Sequence, residues 1–272
     1  MQGWKHFIPT KQKIEYLNQL LQVGFDTLDF GSFVSPKAIP QMADTKEVIK
    51  SLEISKTSTK LLAIVANLRG AEEAVVYNEI KYLGFPFSVS PTFQLRNTNS
   101  TQEESLKIVE AIQSLCLQNN KELVIYLSMG FGNPYEDVYN EEILHFWASK
   151  IASLGVQIIS LADTVGLAEP KQISNALNTL IPSYKNINFG VHLHSSPHNW
   201  EDKFKAALDV GCTRFDGAIK GIGGCPMAQD SLVGNMDTLQ MVDYVEKHFQ
   251  SSINLNKTAL EKASKMADTI FI

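Results

Sequence analysis

Two histidines two residues apart, His192 and His194 in the run VHLH, are the first residues whose type and spacing can do chemistry. Side chains two apart on a strand share one face, so both imidazoles can converge on one ion, and imidazole suits Zn, Mn and similar metals. The competing reading is one hydrogen-bonded core histidine beside one exposed histidine. Asp163, in LADTVG, follows a β-branched run. A carboxylate there can orient a histidine, accept a proton or position a water, or it can simply cap a helix or close an Asx-turn. Cys225 stands in GIGGCPMA. Glycines before it permit positive φ and a movable loop, so its thiol can swing over a site and exchange a proton; a small packing residue is the other reading. Asn235 follows Gly234 just before a helix, where it is either an N-cap or an amide ligand for a hard cation. Cys116 and Cys212 read as core, and His6, His145, His198 and His248 have no partner at informative spacing.

These residues need elements to carry them. Short β-branched runs alternate with helical segments along the whole chain. Strands are expected at Phe25–Phe30, Leu61–Ala66, Phe85–Ser90, Glu122–Ser128, Val156–Leu161, Asn188–His194 and Thr213–Ile219. Helices are expected over Thr10–Val23, Lys46–Glu53, Ala71–Leu83, from Thr101, and over Glu141–Leu154, Pro170–Leu180 and Trp200–Val210. The pair Thr101 and Glu104 is a capping box. Two more helices, about Asp237–Phe249 and Lys257–Ile270, close the chain. Alternation of this kind means parallel pairing. Polar and special residues gather after many strands: Ser32, Arg96, Asn97, Gly130, Asp163, His192, His194 and Cys225. An open sheet uses only its switch point, whereas a barrel uses all its carboxyl-end loops. The expectation is therefore a single domain over 1–272, an α/β (β/α)8 TIM barrel with extra C-terminal helices, of which seven strands are legible and the first would precede the opening helix.

Composition narrows the function. The chain has 272 residues, a formal charge of −5, 44% apolar and 19% charged residues. A mildly acidic chain without Lys/Arg blocks is a poor nucleic-acid or anionic-membrane partner, and the apolar runs fall short of the roughly 18 residues of a membrane span. Three scattered cysteines form neither a disulfide framework nor a four-thiolate zinc site, which suits a reducing compartment. The N-terminus lacks a signal-peptide pattern, and the expected location is cytoplasmic. Dinucleotide fingerprints are absent, because GIGG at Gly221–Gly224 follows a late strand with the wrong spacing.

Taken together, SFVSPKAIPQMADT (Ser32–Thr45), ISLADTVG (Ile159–Gly166), VHLH (Val191–His194), GIGGCPMA (Gly221–Ala228) and Gly234–Asn235 resemble the hydroxymethylglutaryl-CoA lyases, in order and over nearly the whole chain. The resemblance implies retro-Claisen cleavage of 3-hydroxy-3-methylglutaryl-CoA to acetyl-CoA and acetoacetate, aided by a divalent metal, Mg2+ or Mn2+. It implies His192, His194 and Asn235 as metal ligands, and His192, Asp163 and Cys225 as catalytic residues, Cys225 being the loop thiol that protonates the enolate. Asp29, Ser32, Ser160 and Lys5 fall at substrate-binding positions, Lys5 where a basic residue meets the CoA phosphates. A homodimer is the expected assembly. The pattern departs from the family at Asp29, where a Glu is usual, at Leu239, where a Glu is usual beside Asn235, and by one residue between the GGCP loop and Asn235. The family's Arg-Asp pair would fall just before Met1, so an internal start and weak activity are expected. The alternatives are a related acyl-CoA or 2-oxo acid aldolase or synthase, and a non-catalytic acyl-CoA-binding relative.

Overall fold

The computed structural model describes residues 1–224, 233–249 and 253–272. Among them seven strands form one sheet in the order of the chain, every neighbouring pair parallel. They are β1 (Thr27–Ser32), β2 (Lys60–Ile64), β3 (Ile80–Ser88), β4 (Glu122–Ser128), β5 (Ile158–Ala162), β6 (Asn188–His192) and β7 (Arg214–Asp216). The helices are α1 (Thr10–Leu21), α2 (Thr45–Ile49), α3 (Leu68–Val75), α4 (Pro91–Thr98), α5 (Gln102–Gln118), α6 (Glu141–Ser153), α7 (Pro170–Ser183), α8 (Trp200–Leu208), α9 (Thr238–His248) and α10 (Lys257–Ile270). Residues from the amino ends of all seven strands line one cavity, Phe25 to Thr27 at one edge and Thr213 to Asp216 at the other. The sheet is therefore curled into a barrel. Its seam lies between β1 and β7, which do not pair among the described residues.

Two layers of apolar side chains follow from the period of two. Outward-facing Leu61, Ala63, Leu83, Phe85, Phe87, Leu123, Ile125, Leu127, Ile159 and Leu161 meet the helices and are at most 2% exposed. The inward set is smaller: Leu62, Tyr82, Val124 and Ile158, with Ile64 and Tyr126 against them. Burial of a Leu or Phe side chain stabilises by about 1.5–3 kcal/mol, so the outer layer dominates the fold. Thr101 caps α5, and the Glu104 carboxylate accepts the Thr101 N–H in return, completing the expected capping box.

The expected helix Ala71–Leu83 is shorter: α3 stops at Val75 and β3 begins at Ile80. Tyr82 and Leu83 pair with Leu62 and Ala63 on one side and with Glu122 and Leu123 on the other, and tertiary pairing overrides the helical spacing. Arg96 and Asn97 belong to α4, which starts on a Ser90 cap with Pro91 in the first turn. No described helix is long and apolar enough to cross a membrane.

Candidate active site at the carboxyl ends of the strands

His192 ends β6 and stands in register with Ala162 of β5 and Asp216 of β7. Register puts all three on the inner face, and the His192 Nδ1 lies 3.4 Å from the Asp216 Oδ2. The Ser160 hydroxyl, one layer lower, donates to the same carboxylate oxygen over 3.4 Å. Burial pulls the His192 imidazole down, yet the hydrogen bond and charge of Asp216, helped by Asp29 and Asp163, raise its pKa above the ordinary value. The edge of Tyr126 meets the His192 ring at a centroid distance of 5.7 Å. Space for Tyr126 comes from Gly84, where a Cβ would sit 2.9 Å from the Tyr126 ring and 2.7 Å from Ile64.

His194 follows on the same face, its ring 5.5 Å from that of His192. Burial, then the neighbouring imidazole, lowers its pKa to about 4 against a hydrogen bond with the Val233 backbone. Its ring is thus neutral at physiological pH and keeps a lone pair. Asn235 is placed by a backbone bridge to His194, by Ser195 N–H donating to the Gly234 carbonyl and by its own N–H donating to Gly221. Its Nδ2 donates to the Ile222 carbonyl over 3.3 Å, and among the described residues its amide oxygen has no partner.

Asp163 follows β5, its N–H donating to the His192 carbonyl. Its Oδ2 is 2.8 Å from the Lys203 Nζ, with both side chains at most 2% exposed, and its Oδ1 accepts from the Ala168 N–H. Burial raises its pKa, opposed by the Lys203 charge and by backbone amides. Asp29 sits on β1 beside the barrel lumen, reached by water but crowded by protein. Crowding lifts its pKa to about 7, with Asp216 adding to the rise and His192 opposing it.

The remaining sequence candidates are more dispersed. Ser32 is buried with its hydroxyl unpaired, and its N–H donates to Thr45 Oγ1. Lys5 is exposed, but its backbone is held on both sides because Gln41 Nε2 donates to the Trp4 and His6 carbonyls. Asp44, in the same SFVSPKAIPQMADT segment, pairs with the buried Lys13 at 2.8 Å. This segment is thus a brace for the first ten residues as much as a loop. Cys225 lies outside the described residues. Cys116 and Cys212 are buried, and burial pushes their thiols to about 12 and about 11.

Two site residues escaped the sequence reading. Asp216 was legible as the inward position at the end of β7 that matches His192. Lys203 could have been noticed as a lysine beside Phe204 and Ala207 on the buried face of α8.

Among the described residues no three His, Cys, Asp or Glu side chains form a ready cage for a metal. Two imidazoles, one neutral and one with its Nδ1 turned to a carboxylate, plus a free amide oxygen in an acidic mouth, nevertheless suit a divalent cation with open positions. A cavity of about 560 Å³ opens at the amino ends of the strands, lined by Asp26, Lys60, Glu122 and Arg214 among others, and reaches inward as far as Asp216. None of the sequence candidates lines it.

Comparison with known proteins gives the family. Hydroxymethylglutaryl-CoA lyase YngG of Bacillus subtilis is 33% identical over 253 residues, covering 92% of this chain and 83% of the relative. A crystal structure of the Bacillus subtilis HMG-CoA lyase superposes with a TM-score of 0.91 at 30% identity, covering 99% of this chain and 89% of the other. An HMG-CoA lyase from Acinetobacter baumannii, solved with coenzyme A and 3-methylmalate, gives a TM-score of 0.90 at 30% identity, covering 99% and 87%. The HMGL-like family matches residues 1–267, and the chain belongs to it.

Proposed function

We propose that this chain cleaves 3-hydroxy-3-methylglutaryl-CoA to acetyl-CoA and acetoacetate with the help of a divalent cation, Mg2+ or Mn2+. The observation that carries the reading is the meeting of His192, His194 and Asn235 at one mouth of the barrel, with Asp216 behind His192. His192, His194 and Asn235 would hold the cation, which when bound supplies the Lewis acidity that lowers the pKa of a tertiary hydroxyl so that a modest base can take its proton. Asp216 fixes the tautomer of His192 and presents the other ring nitrogen to the mouth. Asp29, near neutrality in its affinity for a proton, and Asp163 supply carboxylates at the mouth for proton exchange and orientation. A carboxylate of the mouth takes the hydroxyl proton, and the resulting alkoxide collapses. The carbon–carbon bond breaks, its electron pair passes to the departing acetyl-CoA enolate, and acetoacetate is left. Cys225 gives its proton to the enolate carbon. Ser32, Ser160 and Lys5 complete the substrate reading, the exposed Lys5 ammonium suiting CoA phosphates. A homodimer in the cytoplasm completes the proposal, and the unpaired buried Cys116 and Cys212 suit reducing conditions.

The test is acetoacetate release from the thioester by the purified chain with Mg2+ or Mn2+ and after chelation. Turnover abolished by chelation is expected, as is collapse of turnover in Cys225→Ala with Mn2+ binding intact. Tight thioester binding without turnover would instead assign an acyl-CoA-binding protein.

A further inference from the structure

The Lys203 ammonium is fully buried on α8 and directs all its donors away from its own helix. It donates to Asp163 Oδ2 at 2.8 Å, to the His194 carbonyl at 2.9 Å and to the Gly166 carbonyl at 3.1 Å. An ammonium has three N–H groups, so none is left over. Each acceptor belongs to a segment that carries a site residue. Asp163 is itself one, and the His194 carbonyl is the backbone of another. Gly166, at φ +78, packs so close to Val233 that a Cβ would stand 2.9 Å from its side chain, and Val233 precedes Asn235 by two residues.

A buried ion pair is a poor source of net stability, because well-packed apolar residues commonly replace it at no loss. Its value lies in the geometry it enforces. Here one point charge ties the ends of β5 and β6, and through Val233 the segment of Asn235, into a fixed triangle. We propose that Lys203 is a positioning residue, whose ammonium clamps Asp163, the His194 backbone and the Gly166 turn so that His192, His194 and Asn235 face one divalent cation. The inference rests on the reading of those three residues as a cation site. Support of metal ligands from behind is commonly worth about 10–100-fold in metal affinity or activity.

The experiment compares wild type, Lys203→Met and the double variant Lys203→Met/Asp163→Asn, measuring Mn2+ affinity of the folded protein by titration, thermal stability, and kcat and KM for the thioester. Lys203→Met is expected to weaken Mn2+ binding by about 10–100-fold and to lower kcat while KM stays within about threefold. The double variant removes both charges, so it is expected to regain stability while Mn2+ binding stays weak, since the His194 carbonyl still lacks its donor. It also serves if the single variant does not fold. Wild-type Mn2+ affinity in a folded variant overturns the proposal and leaves the lyase reading standing. Weakened Mn2+ binding in the variants, with a wild type that binds Mn2+ but does not cleave the thioester, supports the clamp and overturns the lyase reading. A wild type that binds no Mn2+ overturns both.

Discussion

The two mouths of the barrel hold similar side chains and treat them differently. At the amino ends of the strands, Lys60 pairs with Asp26 at 3.1 Å and Lys81 with Glu122 at 2.8 Å, with every one of these side chains at least 39% exposed. At the carboxyl ends, Lys203 and Asp163 are at most 2% exposed, Asp216 contacts His192, and Asp29 is crowded until its pKa reaches about 7. Water solvates the first set and dilutes each charge. Protein encloses Lys203 and Asp163 and crowds the other groups, so a charge there is satisfied by a named partner or changes its proton affinity. A cavity of about 560 Å³ opens at the amino-end mouth, yet the imidazoles and the amide converge at the other, so convergence of donors and not volume points to the site.

Asp163→Ala is the largest expected disturbance. It leaves the Lys203 ammonium buried without its carboxylate, and breaking a buried pair in this way costs about 3–5 kcal/mol, readable in denaturant unfolding. Asp216→Asn comes next. It should cut Mn2+ affinity or turnover by about 10–100-fold with little change in unfolding, because Asp216 is partly open to the lumen. An equal loss of stability and activity would mean that Asp216 is structural.

Asp29 gives a pH signature of smaller size. Its folded pKa of about 7 exceeds the unfolded carboxylate value of about 3.9. The folded state therefore holds a proton that the unfolded state has lost, and stability falls as pH rises from about 4 to about 7. Asp29→Asn should flatten that part of the profile, and an unchanged slope would show that the carboxyl titrates normally. Water reaches this side chain, so the change is well below what a sealed carboxyl would give. The smallest effect is at the other mouth, where Lys60→Ala should cost about 0.2–1 kcal/mol, vanish at high salt and leave turnover unchanged. A loss comparable to that of Asp163→Ala would erase the distinction between the mouths.

Much of this contrast was legible in the residues. The short β-branched runs marked the strands, and VHLH placed two imidazoles on one face because side chains two apart on a strand point the same way. The Thr101–Glu104 capping box marked the start of α5 because its chemistry is local. Boundaries set by distant pairing were not legible. Residues Ile80 to Leu83 look helical beside α3, and only hydrogen bonding to β2 and β4 makes them strand. The SFVSPKAIPQMADT segment read as a loop carrying the family resemblance, yet Gln41 and Asp44 also bind the first ten residues and α1 through contacts more than thirty residues away.

The sequence by itself determined the alternating α/β plan and the count of seven strands, which follow from local spacing, and it offered His192, His194, Asp163 and Asn235 as candidates whose competing readings only the family resemblance narrowed. Only the tertiary structure decided that Asp216 backs His192, that Asp29 holds its proton toward neutrality and that Lys203 reaches three acceptors on two other elements. Register between strands, and the enclosure of Lys203 with Asp163, depend on which residues far apart in the chain become neighbours. Their electrostatic consequences exist only once the sheet has curled.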